Sequence, residues 1–150
     1  MSARERVHAL IETAVPMLNP DATFETVDDG EVISVAIEGD ELGQIIGRHG
    51  QTLDALQHLA SRAAALEEDG RRRVEVDAGG WRVRRAEELY LVADEAADRA
   101  VDTGERVALP AMSASERRVV HEYLREREDV DTASEGREPE RRLVVEPFTD

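Results

Sequence analysis

The sequence predicts an α+β protein made of two small modules, and three observations carry that expectation. Over residues 1 to 78 the spacing of apolar residues switches between helical and alternating, in the order helix, strand, strand, helix, helix, strand. The pair Gly79-Gly80 then breaks both periods. Beyond it come a long helix, a shorter capped helix and short strands, an arrangement of a small sheet with two helices. A chain of 150 residues suits one domain or two small ones.

Taken in order, Val7, Leu10, Ile11, Ala14 and Leu18 recur at spacings of three and four, a one-faced helix ending near Pro16 or Pro20. Two strands follow, 22–27 and 31–37, joined at Asp28-Asp29-Gly30, with Ile33, Val35 and Ile37 on one face. Residues 41–46 read as a short helix broken by Gly47-Arg48-His49-Gly50. Leu53, Leu56, Leu59, Ala60, Ala63 and Leu66 mark the stripe of the next helix, and Val74 and Val76 alternate along a third strand. After the paired glycines, Val83, Ala86, Leu89, Tyr90, Ala93, Ala97, Ala100 and Val101 line a long helix stopped by Gly104. Residues 106–109 suggest a short strand. Ser113 with Glu116 forms a capping box for a helix that buries Val119, Val120, Tyr123 and Leu124. Strands near 130–134 and 141–146 close the chain.

Composition excludes several chemistries. Cysteine is absent, so disulfides, thiolate metal sites and thiol catalysis are ruled out. All 19 basic residues are arginine; without lysine there is no Walker phosphate loop and no Schiff-base chemistry. No apolar run approaches the roughly 20 residues that span a bilayer, and Glu12 and Pro16 interrupt any signal-like start. The expected location is the cytoplasm, with no cofactor and no metal. A net charge of -15 argues against a nucleic-acid partner on average, but the positive charge is clustered: residues 71–85 carry a local +4, whereas 1–40 and 86–105 are strongly acidic.

Three groups of residues bear on binding. The first is the corner Gly47-Arg48-His49-Gly50: glycines let a backbone approach closely, the next helix offers its N-terminal amides, and Arg48 adds a guanidinium, a combination suited to phosphate oxygens. An ordinary helix-turn-helix corner is the alternative. Ile45, Ile46 and Leu53 would line an aliphatic groove or the core. The second is the helix opened by Ser113, on which Arg117, Arg118, His121 and Arg125 fall within roughly 100° of one another; they read as a basic face or as solvated arginines in salt bridges. The third, Arg71, Arg72, Arg73, Arg82, Arg84 and Arg85, is a phosphate-positioning edge or a charged guard on an edge strand. His8 and His58 read as structural, and Trp81 as packing the joint between modules.

The stretch Ile46 to Gln57 resembles the KH loop of the Jag, or SpoIIIJ-associated, proteins, and Arg117-x-x-x-His121 resembles the signature of the R-3-H domain. The segment from Ser134 to Pro139 with Arg141 to Val145 is similar to the same family's C-terminal part. The resemblance covers residues 4 to 147 and implies a type II KH domain at 1–78, a linker at 79–82 and a small α/β R-3-H domain at 83–150. In KH domains the loop clamps the backbone of about four nucleotides, which assigns Gly47, Arg48, His49 and Gly50 as contacts, with Ile45 and Ile46 beside them and Arg117, Arg118, His121 and Arg125 in the second module. An aromatic content of 3% counts against an RRM.

The function implied is a non-catalytic cytoplasmic protein that binds single-stranded RNA, with single-stranded DNA left open. The family is linked to cell envelope growth and division, to a small KH partner protein and to the YidC/SpoIIIJ insertase, with no direct membrane insertion. Many members carry a further N-terminal domain, whereas this chain begins almost at the KH module. The competing expectation is an adaptor that binds a basic protein through its acidic surface; a nuclease using His121 is disfavoured because no histidine and carboxylate spacing resembles a metal site.

Overall fold

Ser2 starts the first helix with a reciprocal cap: its Oγ accepts the Glu5 amide at 3.1 Å and its own amide donates to Glu5 Oε2 at 2.7 Å. This helix, α1, covers Ala3–Leu18 in a computed structural model that describes residues 1–66 and 72–148. Pro16 lies inside the last turn, so the helix runs two residues past it and stops at Asn19, whose amide donates to the Val15 carbonyl at 2.8 Å.

Strands β1 (Thr23–Asp28) and β2 (Val32–Glu38) form an antiparallel hairpin. Its turn is held by carboxylates: Asp28 Oδ1 accepts the Gly30 amide, and Asp29 Oδ1 accepts those of Glu31 and Val32. A crossover through α2 (Gly43–Ile46) and α3 (Gln51–Ala64) returns the chain to β3 (Arg73–Ala78), which pairs parallel to β2 and gives the order β1-β2-β3. One face of this sheet, with Ile33, Val35, Ile37, Val74 and Val76, packs on Val7, Ile11 and Val15 of α1 and on Leu53, Leu56 and Ala60 of α3. Arg6 of α1 caps the end of α3, donating to the carbonyls of Ala63 and Ala64 at 2.7 and 2.9 Å.

The predicted stripe of α3 is partly corrected. Burial follows Leu53, Leu56, Ala60 and Ala64, whereas Leu59 and Leu66 are exposed, Leu59 lying one helical step off the packed line.

The chain divides into two units, Met1–Arg82 and Val83–Asp150. The expected linker at 79–82 is not irregular throughout: Gly79 and Gly80 turn with positive φ, but Trp81 and Arg82 already open α4 (Trp81–Thr103). The second unit adds β4 (Val107–Ala108), α5 (Ala114–Leu124), β5 (Val130–Glu135) and β6 (Arg142–Pro147), in an antiparallel sheet of order β4-β6-β5. Its core joins Leu89, Ala93, Ala97 and Ala100 of α4 to Val120 and Leu124 of α5 and to Val130, Leu143 and Val145. Val83 and Val101, expected in the α4 stripe, are exposed, and Ala96 is buried. Tyr90 and Tyr123 stack with centroids 4.2 Å apart, and Tyr123 donates to Asp94 at 2.7 Å, which raises the phenol's pKa.

The hairpin turn sets an acid limit. The hydrogen bond from Arg72, then that from the Gly30 amide, lowers the pKa of Asp28, and the Val32 and Glu31 amides lower that of Asp29. A carboxylate whose folded pKa lies below its unfolded one contributes fully above the unfolded value of about 3.9 and loses that contribution as pH falls through the folded value. Asp29→Asn is therefore expected to reduce the dependence of the unfolding midpoint on pH below about 4; an unchanged acid limb in thermal melts would contradict this account of the turn.

Candidate nucleic-acid interface

The corner between α2 and α3 is built from left-handed backbone. Gly47 has φ 74°, His49 φ 55° and ψ 25°, and Gly50 φ 76° and ψ 14°. A left-handed residue with a side chain costs on the order of 1–2 kcal/mol, so His49 stays there only because its surroundings over-determine it. Three amides of the corner serve it internally: Gly47 donates to the Gly43 carbonyl at 2.8 Å, Gly50 to Gly47 at 3.3 Å, and Gln51 to Arg48.

Both glycines face the protein. A Cβ on Gly47 would lie 2.8 Å from the Thr52 amide nitrogen, and one on Gly50 would overlap the ring of Trp81. The expected reason for these glycines, close approach by a ligand, is thereby corrected: their bare sides receive Thr52 and Trp81. Outward, the corner offers Arg48, which is exposed and makes no ion pair or side-chain hydrogen bond among the described residues, and the half-buried His49. Ile46 is half-buried against the core. Ile45 and Leu53 are 0% exposed and belong to the core, so neither lines a groove; Ile45 anchors the corner from beneath.

At the edge of β3, Val76 and the Ala78 amide meet the protein's own groups. Gln57 Oε1 accepts the Val76 amide at 2.9 Å, Arg82 Nε donates to the Val76 carbonyl at 2.9 Å, and Asp77 Oδ1 accepts the Ala78 amide at 2.8 Å. Arg82 also pairs with Asp54 of α3 at 2.8 Å. The arginine cluster is similarly committed: Arg72 pairs with Asp28, Arg73 with Glu75 at 2.7 Å, and Arg85 with Glu116 at 2.7 Å and Glu88 at 3.0 Å. Burial opposes charge on Arg85, but the hydrogen bonds to Glu116 and Glu88 outweigh it and raise its pKa. Arg84 is exposed, and Arg71 lies outside the described residues. These pairings replace the expected positive edge with neutralised pairs.

On α5 the four expected contacts separate. Arg117 is 7% exposed; its guanidinium donates to the carbonyls of Met112 and, at 3.3 Å, Arg141, and pairs with Glu138. It is a staple of the second unit, contrary to its expected place on a ligand-facing surface. His121 is half-buried with Nδ1 against Thr132 Oγ1 of β5. Arg118 is exposed and pairs with Glu122 at 3.1 Å, while Arg125 is exposed without a side-chain partner among the described residues. The buried line of α5 runs through Arg117, Val120 and Leu124, which a wheel of charged residues alone does not show. Gln57, Asp77, Glu116 and Glu138, which fix these arginines and the β3 edge, escaped sequence reasoning; only the spacing of Glu116 from Ser113 gave any signal, and it pointed to a cap. His8 pairs with Thr26 and His58 is an exposed residue of α3.

Among the described residues no group of three or more histidines and carboxylates is placed to hold a metal, and no helix is long and apolar enough to cross a membrane. Fold order and loop geometry define a KH module followed by a second α+β module, and comparison with known families agrees: residues 5–76 match the family described as KhpA/KhpB, KH domain, and residues 87–147 match the R-3-H domain. The chain belongs to the Jag family of proteins, which join a KH domain to an R-3-H domain. It is 34% identical over 125 residues to the RNA-binding protein KhpB of Clostridium symbiosum, covering 83% of this chain and 56% of the relative. It is 31% identical over 140 residues to that of Streptococcus pneumoniae serotype 2 (strain D39 / NCTC 7466), covering 93% and 43%. With the Lactiplantibacillus plantarum protein of the same name it shares 39% over 105 residues, 69% of this chain and 32% of the relative. The chain thus spans about half or less of the length of these relatives.

Two substitutions test the structural roles. Gly50→Ala forces a Cβ into Trp81 at a positive φ and should cost about 1–3 kcal/mol in chemical denaturation; an unchanged midpoint would mean that the indole does not sit there. Arg117→Ala should cost about 1–3 kcal/mol by leaving two carbonyls without their donor, and a fully stable variant would return Arg117 to the surface.

Proposed function

We propose that the protein binds single-stranded RNA, with Arg48 and His49 as the principal contact. The observation that carries this is Arg48, exposed and without a partner among the described residues, on a left-handed corner directly before α3, a helix of 14 residues whose N-terminus is the positive end of its dipole. A phosphate there meets a guanidinium and a favourable field, while the helix itself is fixed by the core through Leu53 and Leu56. Membership of a family whose relatives are named RNA-binding proteins supports the ligand class. In the second unit Arg125 and Arg118, with His121 beside them, supply a weaker contact; Arg117 acts by holding the end of α5 to the segment around Glu138 and Arg141. Two weak sites on one chain gain from effective concentration.

The net charge of -15 repels RNA at long range, so the encounter is slow and contact is local. No step of this reading needs catalysis or a cofactor. The resemblance extends it to a cytoplasmic regulator or adaptor tied to envelope growth and division, working with a small KH protein and the YidC/SpoIIIJ insertase. A second reading, an adaptor for a basic protein, is favoured by the acidic face of the first sheet, where Glu25, Glu38 and Glu75 are exposed. Crosslinking in cells separates the two by whether RNA or protein is recovered.

Arg48→Asp with His49→Asp is expected to leave the helical circular dichroism and unfolding midpoint intact and to abolish binding of short single-stranded RNA. Retention of full affinity by that variant would remove the corner from the interface.

A further inference from the structure

The chain has two phenylalanines, two tyrosines and one tryptophan, and all but one of these rings are used in packing. Phe24 lies on the first core beside His8, Tyr90 and Tyr123 stack on each other, and Trp81 fills the bare side of Gly50. Phe148 is 58% exposed and joins neither core. Its backbone is nonetheless fixed: the β5–β6 ladder pairs Val130 with Pro147, and the Phe148 amide then donates to the Asp129 carbonyl at 3.0 Å. A single exposed apolar residue needs no explanation, but this ring borders a groove of about 160 Å³. Leu124 and Val130, both buried, give the groove an apolar floor, and Thr132, whose hydroxyl meets His121 Nδ1, lines it as well.

Two arginines lie on the groove, and they differ. Arg127 is spent on Asp98 at 3.0 Å and Asp129 at 2.8 Å, whereas Arg125 is exposed and has no side-chain partner among the described residues. The guanidinium open to a phosphate is therefore that of Arg125. Asp131, also on the groove, repels a phosphate and can only accept hydrogen bonds, one of them from the Thr132 amide at 2.9 Å. We infer that this groove is a base-binding subsite of the second unit, in which one nucleotide of a single-stranded RNA stacks its base on Phe148 while Arg125 holds its phosphate. The base turns an N–H edge to Asp131, and its phosphate stays on the side of Arg125. The inference rests on the proposed RNA binding and deepens it by giving the second unit a contact with a base as well as with the backbone.

The test measures the affinity of the full chain for oligouridines of increasing length, until affinity no longer rises, and for a base-free sugar-phosphate strand of the final length. Phe148→Leu keeps an apolar side chain but removes the ring, and should weaken the longest oligouridine about five- to hundredfold, the range of one stacked base. Phe148→Tyr should bind as the unchanged protein does, and all three proteins should bind the base-free strand alike. The unfolding midpoint should not move, because the ring is exposed. On the unchanged protein, photocrosslinking of a 4-thiouridine strand should label the peptide that carries Phe148. Full oligouridine affinity in Phe148→Leu, an equal loss on the base-free strand, or no label on that peptide overturns the subsite and leaves RNA binding in place. Failure of the unchanged protein to bind any oligouridine overturns the underlying reading and this one with it.

Discussion

The indole of Trp81 lies where a side chain on residue 50 would lie. This single contact constrains much of the first unit. It requires glycine at 50, and glycine there permits the left-handed step that, with His49, ends α2 and begins α3 within a few residues. It also fixes Trp81 against the corner, and the next residue, Arg82, reaches Asp54 and the Val76 carbonyl. The corner that presents Arg48 outward is therefore held from within by residues that lie beyond the whole of α3 and β3 in the chain, and its geometry is a tertiary property.

Arginine does two kinds of work in this chain. Where a carboxylate or a helix end lies within reach, the planar guanidinium is consumed in structure: Arg6 caps α3, Arg82 and Arg85 tie α4 to its neighbours, Arg117 staples α5, and Arg127 binds Asp98 and Asp129. With 34 acidic residues against 19 arginines, such pairing is the default. A phosphate contact therefore depends on the few arginines left over, of which Arg48 stands at a loop tip beside a helix N-terminus. The paired arginines cannot be counted as a positive track simply because they cluster in sequence.

Several features are legible in the order of residues alone. The periods of α1, β2, β3 and α4 are strong because each buries one face against a single layer. The cap at Ser113 and the stop at Gly104 are local chemistry. Less legible are the margins of stripes: Leu59 lies beside the packed line of α3, and Val83 lies in the first turn of α4, ahead of the buried stretch that begins at Leu89. The candidate site divides in the same way. Arg48 and His49 can be read from a local motif, whereas Ile45 and Arg117 lie in the interior for reasons held by distant elements: the sheet beneath α2, and the segment carrying Glu138 and Arg141.

By itself, the amino-acid order determined which segments are helices and strands, where the glycine corner falls, and the family to which the chain belongs, because these depend on neighbours within a few positions. Only the tertiary structure decided which side of each glycine is open, which arginines keep their charge unpaired, and which side chains meet the Val76 amide and carbonyl at the β3 edge. Those outcomes are set by partners such as Trp81, Gln57, Asp54 and Glu138, whose distance along the chain says nothing of their distance in space, and by the cost of leaving a buried polar group without one.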